Sequence, residues 1–136
     1  MNKSDKQARL ALHRLQQAEE SLEEAKFLYE GHKSARSIIN RAYYSMFYSI
    51  LALLIFEPYS SSKHSGVISY FNLNFIKAGI FSEHLGRGVN KAFDLRQRAD
   101  YREQVNLTNE DVEPFLDFTR NFIDSIRKYL KDKNLI

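Results

Sequence analysis

The sequence contains no cysteine, which excludes a disulfide framework, a thiolate metal site and a thiol nucleophile. Only two residues are proline, Pro58 and Pro114, and five are glycine, so long stretches carry no helix breaker. The histidines at 13, 32, 64 and 84 never stand three or four residues apart, so no helix offers the paired imidazoles of a zinc face. Carboxylates at EF-hand spacing are missing, as are a Walker loop and a Gly-x-Ser-x-Gly elbow. Gly86-Arg87-Gly88 follows no strand and lacks the rest of a dinucleotide fingerprint. These absences remove the common hydrolase, kinase and dehydrogenase chemistries, and neither a metal nor a cofactor is expected. The longest apolar run, Ile50 to Phe56, is far short of the roughly 20 residues that span a bilayer. The opening Met-Asn-Lys-Ser-Asp-Lys-Gln is polar, unlike a secretory leader. A cytoplasmic protein with no membrane partner is the expectation.

What the chain does have is the make-up of a globular domain. Apolar residues are 43% and charged residues 27% of its 136 positions, a size and balance that suit a single domain over residues 1–136 with one core. The net charge of +3 is mild, but it is unevenly spread. Residues 32–101 hold 9 basic and 4 acidic side chains, whereas the flanking segments together hold 11 basic and 13 acidic. A positive middle suits a phosphate-bearing partner or simply a solvated face.

Apolar spacing predicts helices throughout. Ala8, Ala11, Leu15, Ala18, Leu22, Ala25 and Tyr29 recur at three and four residues, one face of a helix over 5–30 that stops at Gly31. The acidic run Glu19, Glu20, Glu23 and Glu24 falls largely outside that stripe, as a solvated surface would. Ser34 caps a second helix, over 34–56, that is apolar nearly all round and therefore central. A third helix is expected over 63–77, ending at Gly79, and a fourth from Ser82 to about Ala99. Thr108, with Asp111 in the capping-box position, starts a fifth whose inward face is Val112, Phe115, Thr119, Phe122, Ile126 and Tyr129. The fold class is all-α, an antiparallel up-and-down bundle of four to five helices.

Three runs carry chemistry that a plain bundle does not need. In Asn40-Arg41-Ala42-Tyr43-Tyr44, with Tyr48 beyond, adjacent tyrosines point about 100° apart. They cannot both face one core, and at least one phenol needs a polar partner or a groove. Lys63-His64-Ser65-Gly66 gathers cations and free N–H groups at a helix start, a setting for an anion or plain helix initiation. In Leu95-Arg96-Gln97-Arg98-Ala99-Asp100-Tyr101, Arg96 and Asp100 share a helix face. Such a pair stabilises by only about 0.3–0.5 kcal/mol when exposed. Two arginines beside an aspartate and a tyrosine can instead bind phosphate and stack on a base, or simply lace a helix end.

Together, and in this order, the three runs resemble HEPN domains (higher eukaryotes and prokaryotes nucleotide-binding), and within them the small stand-alone prokaryotic UPF0332-type proteins. The resemblance covers nearly the whole chain. It implies a four- or five-helix bundle, usually a homodimer, that acts beside a small nucleotidyltransferase as a toxin–antitoxin-like pair. It implies nucleotide or RNA as ligand, at Arg41, Tyr43, Tyr44, Lys63, His64, Arg96, Arg98, Asp100 and Tyr101. A tyrosine near the family motif also makes Tyr101 a candidate for modification by a partner. Many members are metal-independent ribonucleases with an Arg-x4–6-His motif, whose arginine holds the scissile phosphate while the histidine assists proton transfer. That motif is absent: no histidine follows His84, and Arg96 and Arg98 have none four to six residues on. Ribonuclease action would need His64 to serve beside Arg96. Three readings stand at this point: a nucleotide- or RNA-binding domain, a metal-independent endoribonuclease toxin with an altered site, and a non-catalytic dimerising protein-interaction module.

Overall fold

The computed structural model describes residues 2–100 and 106–136, and their regular structure is entirely helical. Helix α1 (Lys3–Glu30) starts slightly before the expected position, because the Asn2 side chain accepts from the Asp5 N–H at 2.8 Å. It ends at Gly31, although the left-handed residue of the turn is His32, at φ 55°. Ser34 caps α2 (Ala35–Leu54) as its sequence suggests, its hydroxyl accepting from the Ser37 N–H at 3.2 Å. Thirteen of the 20 residues of α2 are buried, so this is the central helix of the bundle. Gln7 donates to the Ile55 carbonyl, Ser45 donates to the Ala18 carbonyl, and Arg41 lies 3.8 Å from Glu24. Numbers rise on one helix as they fall on the other, so α1 and α2 run antiparallel.

The third helix differs from its expected form. Helix α3 (His64–Phe71) passes into a π-helical segment, Asn72–Ile76, instead of continuing as a regular helix to 77. A local competitor explains the wider turn: the Asn74 side chain donates to the Tyr70 carbonyl at 3.1 Å, and Lys77 N–H reaches back to Asn72 at 2.8 Å. Phe71 and Phe75 are thereby both buried, and Gly79, at φ 80°, reverses the chain. Helix α4 (Glu83–Asp100) opens with Ser82 Oγ accepting from the Leu85 N–H at 3.4 Å. At Gly88 it meets the Phe118 ring so closely that a Cβ would overlap it.

The expected fifth helix is two pieces. Thr108 and Asp111 form both bonds of a capping box on the short α5 (Asn109–Val112). Pro114 then supplies no N–H, and the chain restarts as α6 (Pro114–Asp132). Val112, Phe115, Thr119, Phe122 and Ile126 are buried and Tyr129 is half-buried, as the spacing predicts. The acidic run on α1 is not uniformly solvated. Glu19 lies 2.5 Å from Arg120 and 3.8 Å from Arg127, clamping α1 to α6. The reason is geometric: Glu19 borders Ala18 and Leu22, which pack on Ile123. Among the described residues, no helix is long and apolar enough to cross a membrane.

Candidate functional site

The Tyr43-Tyr44 pair resolves as two environments. Tyr43 has no solvent exposure, while Tyr44 is half-buried at the edge of the core. The Tyr43 ring sits among Tyr44, Phe47, Phe93 and His64, all with centroids 5.5–5.9 Å away. Its hydroxyl lies 2.8 Å from His64 Nδ1. His64 stacks on Phe47 at 4.0 Å with the rings 12° from parallel.

The loop before α3 fixes that imidazole. Lys63 N–H donates to Ser61 Oγ at 3.1 Å. Gly66 lets the loop fold onto the first turn of α3, since a Cβ there would come within 2.9 Å of Tyr59 Oη and 2.8 Å of Ser61 Oγ. Tyr59 is itself stacked on Tyr70 at 4.4 Å. Gly66 is therefore a packing requirement of the loop that leads into His64, two residues before it.

Arg96 closes the cluster from α4. Its guanidinium carbon stands 5.4 Å from the Tyr43 ring centroid and 5.1 Å from that of Tyr44, and Nη2 donates to Tyr44 Oη at 3.1 Å. Its Nε is 3.5 Å from an Asp100 oxygen, outside hydrogen-bond geometry, and is buried without a partner among the described residues. Arg41 approaches the same Tyr44 ring at 5.1 Å, and its Nη2 donates to Asn40 Oδ1 at 3.1 Å.

Of the residues singled out by sequence, Arg41, Tyr43, Tyr44, His64, Arg96 and Asp100 converge. Arg98 does not: two positions from Arg96 on the same helix it faces away, pairing with Asp94 at 3.5 Å. Lys63 is exposed and its side chain has no partner among the described residues. Tyr101 lies outside the described residues. The spacing argument missed Phe47 and Phe93. Phe47 was legible as the residue one helical turn beyond Tyr43, whereas Phe93 needed the packing of α4 on α2.

The electrostatics assign protons. Burial pushes the Tyr43 phenol well above its ordinary value, against the pull of Arg96, so it stays neutral. Burial, then the Arg96 charge, hold His64 below its ordinary value, so the imidazole is neutral near pH 7. The Tyr43 hydroxyl has no other acceptor among the described residues, and leaving a buried donor unpaired costs about 1–3 kcal/mol. Tyr43 therefore donates and Nδ1 accepts, which places the imidazole proton on Nε2. His64 thus offers an N–H, not a lone pair. This opposes the role of general base that a ribonuclease reading would ask of it. Among the described residues, no three side chains form a metal-binding group.

A family model described as HEPN domain matches residues 11–129. The chain is 38% identical over 115 residues to a UPF0332 protein of Thermotoga maritima, covering 85% of this chain and 86% of that one. It is 40% identical over 115 residues to a Methanocaldococcus jannaschii protein named "Putative toxin", covering 85% and 84% of the two chains. A second protein of that organism with the same style of name is 35% identical over 122 residues, covering 90% and 82%.

Proposed function

The chain belongs to the HEPN domain family, and on that premise we propose that it is a nucleotide- or RNA-binding helical domain whose site centres on Arg96. One observation carries this reading. The Arg96 guanidinium is pinned on two tyrosine rings, donates to the Tyr44 hydroxyl, and has a single carboxylate near it, Asp100, at 3.5 Å. A part-exposed guanidinium held on aromatic rings, with only one carboxylate near it, is a place for phosphate and a stacked base. The neutral His64 supplies a second donor through Nε2. Arg41, Tyr43, Tyr44 and Asp100 complete the site, and Lys63, Arg98 and Tyr101 flank it in sequence.

The names of the two archaeal relatives support a toxin-like role. The family resemblance supports action as a homodimer, paired with a small nucleotidyltransferase in a toxin–antitoxin-like system. Co-expression with a neighbouring nucleotidyltransferase, followed by co-purification, tests the pairing, and light scattering tests the dimer.

Binding is tested by titrating a labelled single-stranded RNA with the full chain at low salt, since phosphate contacts weaken steeply as salt rises. The wild type is expected to bind, and Arg96→Ala to weaken binding at least about tenfold, roughly 1.4 kcal/mol. An unaltered affinity in Arg96→Ala would remove the site from this cluster. The ribonuclease reading has its own assay, cleavage of that RNA in EDTA. The tautomer of His64 opposes it, and cleavage abolished by His64→Ala would overturn that assignment.

A further inference from the structure

Helix α2 is buried on every side but one. Its accessible positions between 36 and 51 are Arg36, Ser37, Asn40, Arg41, Tyr44 and Tyr48, with Leu51 at the far end. At about 100° per residue these fall within an arc of roughly 140°. A helix otherwise made of core residues thus keeps its open stripe almost wholly polar or aromatic, and apolar packing does not account for that choice.

At the start of α2 this stripe forms one wall of a groove of about 400 Å³, within the range of small-ligand sites. Leu28 of α1 and Asp100 at the end of α4 complete it. The groove holds unused donors. Arg36 has no carboxylate within 4.0 Å among the described residues, and Arg41 has only Glu24, at 3.8 Å. Asn40 accepts from Arg41 through Oδ1, which leaves its amide N–H groups free. Ser37 Oγ accepts from Ser34 Oγ at 2.8 Å, which leaves its own proton to donate. The groove also holds one strong acceptor, Asp100, whose carboxylate is shared with Arg96. It is therefore continuous with the Tyr43–His64–Arg96 cluster.

Two guanidinium groups, amide and hydroxyl donors and a single carboxylate match an anion that itself carries a hydroxyl donor. A ribonucleoside phosphate supplies both parts, a phosphate for the two guanidinium groups and a ribose hydroxyl for the carboxylate. Resting on the nucleotide-binding reading above, we infer that this groove holds one ribonucleoside phosphate unit. Its phosphate lies between Arg36 and Arg41, and its ribose 2′-hydroxyl donates to Asp100. A neighbouring nucleotide of the same strand then lies along Tyr44 and Tyr48 toward Arg96. The 2′-hydroxyl contact makes the site select RNA over DNA.

The test uses the full chain, a short labelled oligouridylate, the deoxy oligomer of the same sequence, and UMP. The wild type is expected to favour RNA over the deoxy oligomer severalfold. Arg36→Ala, at an exposed position, is expected to keep the wild-type melting temperature and to weaken both oligomers alike. It should also lower the salt slope by about one phosphate contact. Asp100→Ala is expected to erase the preference for RNA. If UMP binds as tightly as the oligomer, the groove serves a free nucleotide; if UMP is weak, it serves a strand. Wild-type behaviour in Arg36→Ala, or an unchanged RNA preference in Asp100→Ala, would overturn the groove. Should Arg96→Ala still abolish binding in that case, the central cluster stands without it. Absence of any wild-type binding would bring down both.

Discussion

Two pairs of arginines in this bundle are almost equally accessible and keep different company. Arg120 and Arg127 have side-chain exposures of 33% and 29%, and Arg41 and Arg96 have 29% and 21%. The α6 pair shares two carboxylates: Arg120 hydrogen-bonds both Glu19 and Asp124, and Arg127 stands 3.8 and 4.0 Å from the same two groups. The α2–α4 pair rests on the Tyr44 ring, with single carboxylates at 3.8 and 3.5 Å. Burial therefore does not distinguish them; the partners do. Hydrogen-bonded carboxylates occupy the donors of a guanidinium, as they do at Arg120, whereas a ring holds its face. The first pair reads as a clamp and the second as a site.

The severest way to break this contrast is to remove the floor of the second cluster. Tyr43→Ala deletes a wholly buried ring and is expected to destabilise the chain by about 3–5 kcal/mol in urea denaturation. A loss under 1 kcal/mol would mean that the cluster is not built on the core. Next, Arg96→Ala is expected to cost RNA affinity about ten- to hundredfold, or roughly 1.4–2.7 kcal/mol. Arg120→Ala is expected to leave that affinity alone; equal losses in the two variants would erase the distinction. Glu19→Gln sharpens the other side. It leaves two half-buried guanidinium groups without their shared carboxylate and is expected to cost about 1–2 kcal/mol of stability, with RNA affinity unchanged in the same preparation.

The smallest expected effect is a pH dependence. Burial lowers the His64 pKa below its ordinary value of 6.5. Between 6.5 and that lowered value the unfolded chain binds more protons than the folded one. Stability therefore declines as pH falls through this window and levels off below it. His64→Gln is expected to lack that part of the decline in melting curves taken across the window. A wild-type curve that overlays the variant would show that His64 titrates normally.

The helices were legible because their causes are local. The caps at Ser34 and Thr108 and the apolar faces of α1 and α6 follow from spacing alone. The break at Pro114 was equally local, and reading through it merged α5 with α6. The π-helical segment was less visible, because it depends on Asn74 competing for one carbonyl while Phe71 and Phe75 settle in the core. At the candidate site, the sequence marked Tyr43, Tyr44, His64 and Arg96 as candidates beside plain structural readings of the same runs. It could not separate Arg96 from Arg98, because two basic positions so close in sequence look alike until one side of α4 is covered by α2. Arg36 and Ser37 passed unremarked, since a polar helix start looks like ordinary solvated surface.

By itself, then, the sequence determined the class of fold, the central place of α2 and the misfit of two neighbouring phenols. Those depend on periodicity and on the fixed angle between adjacent helix positions, which act within a few residues. Only the tertiary structure decided which phenol is buried, which nitrogen of His64 carries the proton, and which arginine lies on the tyrosine rings. Each of those is set by a partner from a distant segment: His64 lies 21 residues from Tyr43, and Arg96 lies 52 from Tyr44. The desolvation and pairing that fix charge states begin only when such segments meet.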